Sequence, residues 1–262
     1  MNGPFFCFVL TNALLGIILI GCKDEDAKLA SRWKSAEIVI DGDAAEWSGA
    51  LTYLEKEKFA FGVQNDESYL YLCLQPDRQA QRQAMMFGFT VWLDSTARDK
   101  KILGIRFPIG MQNHDRSWTP EFGSRSEGGF DGQQPRFAEM LQEIEIIGPD
   151  KDDRNRVPVS NKYGIQVAIT EFSSVPVYEL KIPLHNLNGQ PYAVAAAAGK
   201  AISLGFEMGE LDRGKMREQM MGGRGGGMGG GRRPGGFGGD RPEMSKPIKI
   251  WTKVQLAANQ TK

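Results

Sequence analysis

The 262 residues include two histidines and three cysteines, so little in the chain suits zinc or nucleophilic chemistry. His114 and His185 show no zinc-ligand spacing and no relay partner. Cys73 lies in the middle of YLYLCLQ with no histidine near it in sequence, which reads as a small buried hydrophobe rather than a nucleophile. No GxSxG elbow, HExxH, phosphate loop or dinucleotide fingerprint occurs, and the chain is expected to be non-catalytic.

Recognition chemistry is better represented. Between Gly110 and Arg136 neither helix nor strand periodicity is visible, and the segment carries His114, Trp118, Phe122 and Phe130 among Gly, Ser, Gln and Asn. A loop this long in a compact domain is usually functional or disordered. Trp118, with Asn113, His114, Asp115 and Arg116 beside it, suits a sugar, because a pyranose offers a C–H face for stacking and hydroxyls for hydrogen bonds. A loop that only covers the sandwich edge would read the same way. Trp251, in the closing strand, is a second expected ligand contact by position. Asp41 and Asp43 could offer oxygens to calcium, but a hard cation needs six to eight from several segments, and a DGD triplet reads first as a turn. Met208, Met216, Met220, Met221, Met228 and Met244 supply soft thioethers that would suit copper(I), although low-complexity drift without function is the preferred account.

Strands must position these groups. Ile38 to Asp94 contains FAFGVQNDESYLYLCLQPD and MFGFTVWLD. Tyr69, Tyr71 and Cys73 alternate with Leu70, Leu72 and Leu74, so both faces are apolar and the run reads as a buried strand. Asn65-Asp66 closes it into a hairpin with the preceding run. Trp47 and Trp92 are expected in the core. Further strands are expected over Ile102–Ile109, Ile144–Ile147, Ile165–Phe172, Val177–Ile182, Ser203–Glu210 and Ile248–Leu256. Val167, Ile169, Tyr178, Leu180 and Ile182 should face inward. Asp150–Arg156 reads as a solvated turn, Phe137–Leu141 as a helical turn, and Ala193–Ala198 as a short helix or linker. With 41% hydrophobic residues, one core suffices for one folded domain.

Ile40-Asp41-Gly42-Asp43 with Glu46-Trp47, then Asn65-Asp66 with Leu70-Tyr71-Leu72, then Thr90-Val91-Trp92-Leu93-Asp94, resembles the carbohydrate-binding module family 9-like (DOMON-like) domain. Tyr178 to Leu184 and Trp251-Thr252-Lys253-Val254 resemble its later strands. The resemblance spans about Ala36 to Leu256 with an unmatched middle. It implies an all-β fold, an antiparallel β-sandwich of immunoglobulin or jelly-roll type. It also implies possible calcium, and a range of roles that includes sugar binding, haem carriage and accessory docking.

Phe5 to Gly21 is almost wholly apolar, and Leu19-Ile20-Gly21-Cys22 resembles the lipobox of bacterial lipoproteins. Residues 1–21 are then a signal peptide, Cys22 is lipidated, and residues 22–35 form a tether to a sandwich over residues 36–257. No Lys or Arg precedes the apolar run, and an uncleaved anchor is the alternative. Either way the folded part lies outside the cytoplasm, and an outer-membrane lipoprotein facing the periplasm or the cell surface is expected. Lys23-Asp24-Glu25-Asp26 resembles the surface-export signal of Bacteroidetes-type lipoproteins; a solvated linker fits it too. Only Cys73 then remains in the fold, so no intramolecular disulfide is expected.

The 32 basic and 32 acidic residues cancel, and no global field recruits nucleic acid. Residues 222–239 hold 12 of the 32 glycines, and 211–247 reads as a disordered Gly/Arg/Met-rich insertion before the last strand. Its eight basic and four acidic residues between Asp212 and Lys246 suit anionic glycan or lipid. Three readings follow in order: a lipid-anchored glycan-binding module, a docking lipoprotein of the envelope, and a haem- or metal-binding sandwich.

Overall fold

The computed structural model describes residues 29–54, 59–111, 141–150, 152–170, 176–186, 189, 191–209 and 247–259. Its strands are β1 (Leu29–Ala30), β2 (Arg32–Trp33), β3 (Thr52–Leu54), β4 (Phe59–Asn65), β5 (Tyr69–Gln75), β6 (Phe89–Asp94), β7 (Leu103–Arg106), β8 (Glu143–Ile147), β9 (Arg154–Pro158), β10 (Gln166–Ile169), β11 (Tyr178–Pro183), β12 (Ala201–Met208) and β13 (Lys249–Gln255). One helix, α1 (Arg78–Phe87), stands between β5 and β6. The strands form a seven-stranded sheet, β1-β13-β12-β6-β7-β8-β9, and a six-stranded sheet, β10-β11-β5-β4-β2, with β3 also on β4. The expected all-β sandwich is what forms.

The two sheets bury their facing sides in one core. Phe61, Val63, Leu70, Leu72, Leu180 and Ile182 come from the six-stranded sheet, and Val91, Leu93, Ile105, Ile144, Leu204 and Phe206 from the other. Each such side chain contributes about 1.5–3 kcal/mol when fully removed from water. The β4–β5 hairpin forms where Asn65-Asp66 placed it, because the Asp66 carboxylate accepts the N–H groups of Ser68 at 2.8 Å and Tyr69 at 2.7 Å. Val167, Tyr178, Leu180 and Ile182 face the core, with Ile169 packed against it.

A second cluster explains why β5 is apolar on both faces. Tyr71 and Cys73 point away from the main core, and Ile38, Trp47 and Val177 cover them. The segment from Ile38 to Leu51 therefore lies over the outer face of the six-stranded sheet. Ile38 and Ile40 join no ladder there. Trp47 is fully buried, as expected, and Cys73 is a buried hydrophobe whose thiol pKa is pushed up by burial.

Several elements differ from expectation. Strands begin at Leu29, inside the segment read as a tether, and β1 and β2 pair in parallel with β13 and β4, so the sandwich is not purely antiparallel. The helix was not anticipated: Asp77 caps it by accepting the Ala80 N–H at 2.7 Å, and Gly88, at φ 87, ends it. The run read as a solvated turn from Asp150 turns only as far as Asp153, and from Arg154 it is the edge strand β9. Residues 193–198 are neither helix nor strand.

Candidate functional site

Strand register builds the candidate site on the outer face of the seven-stranded sheet. Trp251 on β13 is opposite Gly205 on β12, Gly205 is opposite Trp92 on β6, and Trp92 is opposite Gly104 on β7. The row thus alternates indole and glycine across four strands. A Cβ on Gly205 would sit 2.9 Å from Cη2, Cζ2 and Cζ3 of Trp251, and one on Gly104 would sit 2.7 Å from Cζ3 of Trp92. Each indole therefore lies down on the bare backbone of its neighbour. Glycine within a strand marks such a close approach.

Trp92 is consequently not a residue of the sandwich core, contrary to expectation. It is only 7% exposed, but its surroundings are polar. Its Nε1–H donates to Glu207 Oε2 at 2.7 Å, and the Lys101 ammonium lies 4.9 Å from its ring centre. Lys101 also pairs with Glu207 at 2.5 Å. Burial alone would raise the Glu207 carboxyl, but the hydrogen bonds from Lys101 and Trp92 outweigh it and hold the group below the ordinary range. Trp251 is half-buried.

Polar rows border the indoles. On one side register aligns Lys249, Glu207, Thr90, Arg106 and Glu145. Arg106 donates to Thr90 Oγ1 at 3.1 Å and to Glu145 Oε2 at 2.8 Å. On the other side stand Lys253, Ser203 and Asp94. Ser203 donates to Asp99 at 2.6 Å, and the Asp94 carboxylate accepts the N–H groups of Thr96, Arg98 and Lys100 at 2.7 to 2.9 Å. Thr90, Ser203, Asp94 and Glu145 are buried and bonded within the protein, whereas Lys249 is exposed and Lys253 half-buried beside Trp251. No acid–base pair or nucleophile relay forms in these rows, because their carboxylates are committed to cations or backbone.

Among the described residues, Trp251 is the one expected site residue that stands on this face. His114, Arg116, Trp118 and the lipidation residue Cys22 lie outside the described residues, as does the insertion from residue 211 to 246. Asp41 and Asp43 are on the other sheet's outer side. Asp41 accepts the Asp43 N–H at 2.9 Å and Asp43 accepts the Ala45 N–H at 3.2 Å around Gly42, at φ 84, so both side chains are engaged in the turn. Among the described residues no group of three or more His, Cys, Asp or Glu is arranged to hold a metal ion. Sequence reasoning missed Trp92, Lys101 and Glu207. Their signal was Gly104 and Gly205, two isolated glycines inside strand patterns.

No family model matches the chain, and no curated protein matches it. Among solved structures, a carbohydrate-binding module family 9 from Caldicellulosiruptor kristjanssonii in complex with glucose is similar over 71% of this chain and 80% of that one, at 11% identity and a TM-score of 0.34. The same module in complex with cellotriose is similar over 71% and 79%, at 12% identity and a TM-score of 0.33.

Proposed function

We propose that the chain is a non-catalytic carbohydrate-binding module, carried outside the cytoplasm on a lipid at Cys22 and facing the periplasm or the cell surface of an outer membrane. The observation that carries the binding role is Trp251, a half-buried residue whose indole lies on Gly205, on a strand that carries Lys249 and Lys253 on the same face. A flat aromatic face takes the C–H side of a pyranose, and the flanking side chains take its hydroxyls. The sequence around Cys22 and the resemblance of Ile40 to Asp94 to carbohydrate-binding module family 9 support the same reading.

A glycan-array screen of the chain and its Trp251→Ala variant tests the binding role. Saturable binding that the variant loses is the expected result. If the wild-type protein is folded and silent across a broad array, the sugar reading fails, and docking to an envelope protein becomes the role to pursue. Metabolic labelling with a fatty acid, lost in Cys22→Ala, tests the anchor.

A further inference from the structure

The second indole of the same row is unused by that reading. Trp92 lies on Gly104 as Trp251 lies on Gly205, and both stand in one line across the strands. What distinguishes them is the cover. The Lys101 ammonium sits 4.9 Å from the Trp92 ring centre, where it is attracted by the same ring that would stack against a pyranose.

We propose that Trp92 is a second stacking subsite, covered in the free protein by Lys101, and that the row takes an extended chain of pyranose units laid across the strands. The proposal rests on reading Trp251 as the first platform. The backbones of Trp251 and Trp92 are separated by β12 alone, which is two strand spacings or about 10 Å. A pyranose unit in an extended chain advances by about one strand spacing, so the two indoles meet its first and third units.

The parts around Trp92 permit the exchange. The Lys101 side chain is 41% exposed on a flexible four-carbon stem, so its ammonium can leave the ring for a sugar hydroxyl. The backbone leading to it stays in place, because Asp94 holds the N–H groups of Thr96, Arg98 and Lys100. Glu207 keeps the Trp92 Nε1–H as a partner when Lys101 departs and has acceptor capacity left for a hydroxyl. Ala97 and Asp99 hold left-handed backbone at φ 53 and 60, a strained conformation in the turn that leads to Lys101.

The test is calorimetric titration of the full chain with cello-oligosaccharides from glucose to cellopentaose, together with acrylamide quenching of tryptophan fluorescence. Affinity should rise at least about fivefold between the disaccharide and the trisaccharide, the gain from one added aromatic contact. Trp92→Ala should remove that rise. Lys101→Ala, which retains the indole, should make one more tryptophan accessible to acrylamide in the free protein, and a saturating trisaccharide should protect it again. Equal affinity from glucose upward, with binding still lost in Trp251→Ala, overturns the second subsite and leaves the first standing. Absence of any saccharide binding overturns both, and unchanged quenching in Lys101→Ala overturns the role of the cover.

Discussion

The carboxylate of Glu179 accepts the indole N–H of Trp47 at 2.7 Å across the outer face of the six-stranded sheet. The same carboxylate takes the backbone N–H groups of Gly42 at 2.9 Å and Asp41 at 3.1 Å, so the turn and the tryptophan that follows it both fasten on one buried acid. Trp47→Phe keeps the apolar packing over Gly62 and deletes one donor. A cost of about 1–3 kcal/mol is expected, measured as a shift in the urea unfolding midpoint with an unchanged slope.

The same acid sets a pH dependence. Burial raises the Glu179 carboxyl above the ordinary carboxylate range, against the pull of the Trp47, Gly42 and Asp41 donors. The folded state then holds a proton that the unfolded chain releases, so this contribution is full below the unfolded value and is lost as pH rises through the folded one. Asp66, Asp94 and Glu207 have the opposite sign. Burial would raise each, but hydrogen bonds, such as those from Thr96, Lys100 and Arg98 to Asp94, hold them low. Their contribution is present above the ordinary carboxylate range and is lost as pH falls. Denaturation series from about pH 3 to 8 should show Glu179→Gln losing the decline with rising pH, and Asp94→Asn losing part of the decline in acid.

Tyr178 is 2% exposed, and its hydroxyl has no hydrogen-bond partner among the described residues. It packs edge-on against Phe89, with ring centres 5.1 Å apart, and burial pushes its pKa up. Tyr178→Phe keeps the ring contact and removes a buried polar group without a partner. The variant should be more stable by about 1 kcal/mol, a rise of about 2–4 °C in Tm by calorimetry. A fall in Tm would show that the hydroxyl is satisfied in solution.

Gly205→Ala tests the platform without touching the indole. The new methyl would sit 2.9 Å from three ring atoms of Trp251, and a half-buried ring can tilt away from it. Stability should change by less than about 1 kcal/mol, while binding of any sugar that needs a flat Trp251 is lost. Retained affinity would show that the ring need not lie on the sheet.

Patterns that a single strand carries in itself were legible. The doubly apolar β5, its hairpin with β4 and the inward faces of β10 and β11 follow from local alternation and turn chemistry. Features that depend on a distant partner were not. β1 and β2 are two residues each and exist only because β13 and β4 receive them. β9 is an edge strand, where charged residues face solvent and hide the period. At the site, Trp251 could be chosen by position, but Trp92 was placed in the core because its neighbours Val91 and Leu93 are apolar. Only register, which brings Gly104 and Gly205 beside the two indoles, distinguishes a ring lying on the outer face from one filling the interior.

Residues 29–34 pass from one sheet to the other. β1 runs along β13, Ser31 donates from its backbone to Gln255 and from its hydroxyl to Asn65, and β2 continues along β4 to the Lys34 N–H bond with Asn65. Asn65 in turn reaches the Ala257 carbonyl at 3.0 Å, and Ala257 donates to Ser31 Oγ at 2.8 Å. This crossing is a mechanical mooring. Tension applied to the chain at Leu29 would load the β1–β13 pairing first and reach the β2–β4 pairing through Ser31. The Ser31–Asn65–Ala257 hydrogen bonds tie the two pairings together at that point, so neither sheet can release the segment alone.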